Sequence, residues 1–99
     1  MILLEEHWIN AEFWNRLAHV RLTDATFTLS AILVRWVLIR IPITAIRDVQ
    51  LQKHRINDEI LISYFNERDA FKTLSFSTTH AEHWSAAFQR LGVQRTHLN

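Results

Sequence analysis

The sequence predicts an α+β domain that is mainly β, with consecutive antiparallel strands lying between a short N-terminal helix and a closing C-terminal helix. Three observations carry this expectation. In several runs between residues 26 and 76, apolar and polar residues alternate with a period of two, and β-branched residues are frequent. Residues 79–92, "THAEHWSAAFQRLG", carry both a start and a stop signal for a helix. Residues 1–18 space Ile9, Phe13 and Leu17 four apart, which suits one line along a helix.

Taken in order, "EEHWINAEFWNRLA" is read as the leading helix, with Trp14 beside the apolar line and Trp8 pointing away from it. The strand region is expected over 19–78. Its first clear strand is "ATFTLS", where Phe27 and Leu29 alternate with Thr26, Thr28 and Ser30, leaving one wet face. The chain is expected to reverse within 31–35; because "AILVR" holds none of the usual turn residues, either this hairpin is unusual or one strand simply continues. A second strand then places Val37, Ile39, Ile41 and Ile43 on one face and Trp36, Leu38, Arg40 and Pro42 on the other. It ends near the proline. In "ITAIRDVQLQ", Ile43, Ile46 and Val49 fall at threes, which suits one helical turn leading into a strand up to about Gln52.

"KHRIND" is a polar break. "EILISYF" and "AFKTLSF", joined by the turn-forming "NERD", make the clearest hairpin. Ile60, Ile62 and Tyr64 alternate with Leu61, Ser63 and Phe65 on its first arm; Leu74 and Phe76 oppose Thr73, Ser75 and Ser77 on its second. In the final helix, over 79–92, Thr79 is expected as N-cap, Glu82 completes a capping box and Gly92 ends the element. Trp84, Ala87, Phe88 and Leu91 form its buried stripe.

Composition narrows the classes. Ninety-nine residues with one glycine and one proline leave room for one domain, 1–99, and no linker. The absence of cysteine excludes disulfides and thiolate chemistry and fits a cytoplasmic protein. The apolar run at 29–46 is long enough to raise a membrane span, which needs about 20 apolar residues. Arg35 and Arg40 interrupt it, and an arginine at the centre of a span costs roughly 2.5–3.5 kcal/mol. Strands of a sheet are the better reading.

The order of these elements resembles the pleckstrin-homology-like superfold, particularly the small bacterial PH-like and GRAM-like domains. The resemblance rests on "VRLTDATFTLS", similar to a leucine-threonine-acid step between two strands; on "IPITAIRDVQL", similar to an isoleucine-proline-leucine turn followed by isoleucine and valine; and on Trp84 in the last helix. It covers roughly residues 20–92 and implies a strongly bent antiparallel sheet, or open barrel, plugged by the C-terminal helix. The first 18 residues and the reversal at 31–35 depart from that pattern. Phosphoinositide-binding members concentrate cations around the first strand pair; here Arg21 is followed by Asp24 and threonines, so specific lipid-headgroup binding is disfavoured.

Three function classes follow in order. Four tryptophans and six phenylalanines are many for so small an interior, so some are expected at the surface, where aromatic patches mark protein interfaces. The leading expectation is therefore a non-enzymatic protein-interaction or oligomerising module, binding a protein partner or a second copy through Trp8, Ile9, Phe13, Trp14 and Leu17. The alternative is an anionic surface, either acidic lipid or nucleic acid, bound through Arg21, Arg35, Arg40, Arg47, Lys53 and Arg55 in the basic stretch 19–55. The net charge of +1 gives that alternative no global attraction. A small metal-dependent enzyme stands third: His80 and His83 lie at i, i+3 with Glu82 between them, but no third ligand can be named. His54, Asp58, Ser75, Ser77 and Ser85 form no ordered triad pattern. Neither a cofactor, a metal site nor a catalytic residue is assigned from sequence.

Overall fold

The computed structural model describes residues 2–11, 14–32, 36–93 and 95–98, with the backbone alone at 14–17, 36–38 and 95–98. Its strands are β1 (Ile2–Ala11), β2 (Trp14–Thr23), β3 (Thr26–Ala31), β4 (Trp36–Pro42), β5 (Ile46–Gln52), β6 (Asp58–Phe65), β7 (Phe71–Thr78) and β8 (Arg95–Leu98), with one α-helix, α1 (Ala81–Arg90). They form an eight-stranded sheet in the order β4-β3-β2-β1-β7-β6-β5-β8. All neighbours are antiparallel except β5 and β8, which run parallel. The fold class is thus mainly β with a C-terminal helix, as expected.

The N-terminal helix is absent: residues 2–11 and 14–23 are paired strands. Ala11 faces Trp14 across the reversal, so the apparent four-residue line of Ile9, Phe13 and Leu17 is cut by a hairpin. Ile9 instead opposes Ala18 from the neighbouring strand. Short-range spacing was overridden by tertiary placement, because β1 lies between β2 and β7 and links the two halves of the sheet. Residues 2–11 are therefore structural, and deleting 1–18 would remove a central strand.

The remaining strands follow from their alternation. In β3 Phe27, Leu29 and Ala31 are buried and Thr26, Thr28 and Ser30 are not. In β4 Ile41 is buried, Ile39 partly buried and Arg40 exposed. The chain reverses after Ala31, and Arg35 lies outside the described residues. After Pro42 a single 3-10 turn, Ile43–Ala45, leads into β5. The Ile43 N–H donates to the Ala25 carbonyl at 2.9 Å, tying this turn to the β2–β3 connection. That connection is built on Thr23, whose hydroxyl accepts from the N–H groups of Ala25 and Thr26 at 3.1 and 3.0 Å.

The β6–β7 hairpin forms as expected. Asn66 organises its turn: the side-chain oxygen accepts from the N–H of Arg68 at 2.9 Å and of Ala70 at 3.0 Å, and Asp69 takes the left-handed conformation, φ 60°. β8, four residues beyond α1, was not expected; it pairs along β5 from Val49–Arg95 to Gln52–Leu98.

Helix α1 starts later than the capping pattern implies. His80, not Thr79, is its N-cap, and no side chain caps it. Thr78 supplies the local contact instead, accepting from the His80 N–H at 2.9 Å. The C-terminus agrees with expectation: Gly92 at φ 80° donates to Gln89 and Val93 donates to Phe88, at 3.0 and 3.1 Å, the paired bonds of a Schellman end. Trp84 and Phe88 are fully buried, while Ala87 and Leu91 pack at the edge of the core.

Trp84 lies edge-on to Phe27 and Phe76, with centroids 6.2 and 5.1 Å away, and tilted to Phe88 at 6.4 Å. Replacing Trp84 with alanine should lower unfolding free energy by about 3–5 kcal/mol, read from denaturant midpoints; an unchanged midpoint would remove Trp84 from the core.

Candidate functional site

Three places on the molecule bring chemically distinctive side chains together. The first is a groove of about 740 Å³ between the edge strand β4 and the β6–β7 turn. Ile39, Ile41 and Ala45 line one side, Tyr64 and Phe65 the other, and Arg40, Glu67 and Arg68 stand among them. The guanidinium of Arg47 lies 5.1 Å from the centroid of the Phe65 ring, a stacking distance that favours a cation on an aromatic face. Phe65 in turn meets Phe71 edge-on at 5.3 Å, and Phe71 is 57% exposed. β4 ends the strand order, so the groove runs beside a sheet edge, where backbone groups are open to a further strand.

The second place is the carboxyl group of Glu6. On β1, Glu6 turns to the inner side and accepts from the Trp84 indole N–H, from the Thr78 hydroxyl at 2.5 Å, and meets His80 Nδ1 at 3.3 Å. These contacts use the acid as a clamp on the start of α1 and the end of β7. Among the described residues no buried side-chain nitrogen or oxygen lacks a partner; Glu6 is the acceptor for the Trp84 indole N–H and for the Thr78 hydroxyl proton.

The third lies on the outer face of β1 and β2. Glu5 and Arg21 are cross-strand partners, and Glu6 opposes Val20. Continuing that register sets His7 against His19, and their rings stack at 4.1 Å with 6° between planes. His19 Nε2 donates to Glu5 Oε2 at 2.9 Å, and Arg21 Nε donates to the same oxygen at 2.7 Å. The Arg21 hydrogen bond holds the Glu5 carboxyl below its ordinary value, with His19 assisting against the opposing effect of burial. Burial lowers the His19 value, the Glu5 hydrogen bond resists, and the nearby His7 and Arg21 add to the lowering. Directly beyond the pair, Ile9 rather than Trp8 opposes Ala18. Trp8 is the extra residue of a β-bulge, at φ 58° and 58% exposed.

The five residues expected to form an interaction surface do not share one helix face. Trp8 is exposed on the bulge, Ile9 packs against the core, Phe13 is outside the described residues, and Trp14 and Leu17 are placed on β2 by their backbone alone. The basic stretch is also dispersed: Arg21 binds Glu5, Lys53 meets Glu82 at 3.3 Å, and Arg55 stands in the exposed loop before β6. Among the described residues of that set, Arg40 lines the groove and Arg47 stands over Phe65 in its wall; Arg68, which sequence reasoning did not include, lines it too. The His80 and His83 rings stack at 5.7 Å, yet the group of metal-donor side chains that converges among the described residues is Glu5, His7 and His19, their donor atoms all within 4.8 Å of one another. Period-two spacing of Glu5 and His7 was the available signal, concealed by the helical reading.

No protein-family model matches the chain, and no curated protein sequence is significantly similar to it. No helix among the described residues is long and apolar enough to cross a membrane.

Removing the Glu6 carboxyl should expose how much the clamp contributes. Glu6→Ala leaves the Trp84 and Thr78 donors without their acceptor and should cost about 1–3 kcal/mol. In a Trp84→Phe background the same change should cost less, a coupling measurable by a double-mutant cycle; strictly additive losses would refute the clamp. Acid should also destabilise the β1–β2 face. Both lowered groups bind protons more readily when unfolded, so stability rises with pH. The His19 contribution is present above about 6.5 and lost as pH falls through its lower folded value, and the Glu5 contribution is lost in turn below 4.5. Thermal midpoints should decline in that order, His19→Asn flattening the upper limb and Arg21→Gln the lower one. Midpoints that stay level or rise on acidification would contradict both assignments.

Proposed function

We propose that the chain is a non-enzymatic protein-interaction module on a PH-like scaffold, and that it receives an extended, acidic segment of a partner protein along the free edge of β4. The observation that carries this reading is the groove beside β4. An added strand would satisfy the edge backbone groups, and alternate side chains would enter the apolar floor of Ile39, Ile41, Ala45 and Tyr64. Pro42, which has no N–H, marks where such pairing would stop.

Charge selects the partner. Arg40 and Arg68 line the groove, Arg47 stands at Phe65, and Glu67 is the one acidic side chain in the lining. A segment alternating aliphatic residues with Asp or Glu complements both features, with the carboxylates supplying specificity and association rate. The PH-like scaffold is supported by the strand order β4-β3-β2-β1-β7-β6-β5 and by the tryptophan-bearing helix that follows β7.

The test uses a fluorescein-labelled decapeptide alternating valine with glutamate, titrated with the intact protein. Saturable binding should appear, weaken with added salt, and fall by about tenfold, or 1.4 kcal/mol, in Arg40→Glu and again in Arg68→Glu. A valine–lysine peptide should not bind. Equal binding of the two peptides would refute the proposal. So would arginine-dependent binding to phosphatidylserine vesicles or single-stranded DNA without peptide binding, which would favour the anionic-surface reading, or concentration-dependent self-association that Arg40→Glu abolishes.

A further inference from the structure

We propose that Glu5, His7 and His19 form a binding site for a divalent transition-metal ion of the zinc class, held by two imidazoles and one carboxylate on the outer face of β1 and β2. Three neutral or anionic donors of the kinds such ions prefer have their ligand atoms within 4.8 Å of one another. They come from two hydrogen-bonded strands, where opposed side chains are held at a fixed spacing, and not from a mobile loop.

Each donor is placed by a separate feature. Glu5 and His7 share a face because they are two residues apart on β1. His19 is brought opposite by the β1–β2 register that pairs Glu5 with Arg21 and Glu6 with Val20. The bulge at Trp8 follows immediately and shifts the register, so that Ile9 rather than Trp8 opposes Ala18. The pairing that makes the site therefore ends at the site. His19 Nε2 already shares its proton with Glu5 Oε2 at 2.9 Å; an ion taking that proton's place would bind the same two atoms, and His7, stacked on His19, would turn one nitrogen toward it. The fourth position would be left to water or to an outside ligand.

Arg21 gives this reading a signature that a structural role lacks. Its Nε occupies Glu5 Oε2 at 2.7 Å, so it competes with a cation for the same oxygen. Removing it should strengthen metal binding, whereas removing a member of an ordinary surface network would only weaken that network.

The test is isothermal titration of the chelator-treated full chain with Zn²⁺ at neutral pH, with folding of each variant checked by circular dichroism. One ion per chain is expected. His7→Ala and His19→Ala should each weaken binding by at least about tenfold, the scale on which even outer partners of a metal act, and Glu5→Gln should weaken it as well. Arg21→Gln should tighten it, and His80→Ala with His83→Ala should leave it unchanged. The proposal fails if the wild type binds no more tightly than the His7→Ala/His19→Ala double variant. It also fails if the helix variants, and not these, lose the ion, or if Arg21→Gln weakens binding. Valine–glutamate peptide binding at β4 is read separately, so failure of one site leaves the other to be judged by its own result.

Discussion

The fold depends on how β1 is joined to β7 and α1. Among the described residues, β1 pairs with β7 at Ala11 and Phe76. Trp84 adds side-chain packing across the same junction. It fills the space between Phe27 of one half and Phe76 of the other, and burial of so large an aromatic contributes area no smaller side chain could supply. Its indole N–H, however, must find an acceptor in that interior, because an unpaired buried donor costs about 1–3 kcal/mol. Glu6 supplies it from β1 and takes Thr78 of β7 at the same oxygen. One carboxyl group thus lets an apolar plug be placed across the seam without a polar penalty, and fixes where α1 begins.

The same strand shows why a single extra residue matters. From Leu4 to Glu6, β1 pairs in regular register with β2, with Glu5 outward and Glu6 inward, and His7 continues on the outer side. Continued strictly, that alternation would send Trp8 into the core opposite Ala18. The bulge puts Ile9 there instead and leaves Trp8 exposed. A tryptophan at positive φ is an uncommon conformation, tolerated because the neighbouring contacts on both faces hold it: Glu6 to α1 within, and the His7–His19 stack without. Inner packing and outer chemistry are consequently set by the same few residues, with no separate scaffold beneath the outer cluster.

Much of the fold was legible because its strands are half buried and their alternation is strict. Phe27 and Leu29 against Thr28 and Ser30, or Ile60 and Ile62 against Leu61, state which face is wet before any neighbour is known. Gly92 announced the helix end because the Schellman bond pair needs a left-handed residue. The beginning of that helix and the whole of β1 and β2 were less legible, for a common reason. Glu82 and Thr79 satisfy a local capping pattern, and Ile9, Phe13 and Leu17 a local helical one, but neither pattern registers long-range competition. Thr78 turned toward Glu6, 72 positions away, and Ala11 paired with Trp14 across two antiparallel strands where a continuous helix was expected. β8 escaped notice because four residues of mixed polarity carry no period; its strand character comes from β5 alongside.

The candidate sites were legible to a different degree, because proximity in sequence is a poor measure of charge proximity in a sheet. Six cations within 19–55 suggested one basic face, yet Arg21 is drawn to Glu5 and Lys53 to Glu82. Exposed ion pairs of this kind add little stability, typically under about 1 kcal/mol, but they cancel the outward field of the cations they hold. Among the described residues, Arg40 of β4 and Arg68 of the β6–β7 turn line the groove and Arg47 of β5 stands over Phe65 in its wall, three residues from three elements. A chain of net charge +1 can therefore present a cationic groove, since what an incoming segment meets is the uncancelled local charge beside an apolar floor, not the sum over the sequence.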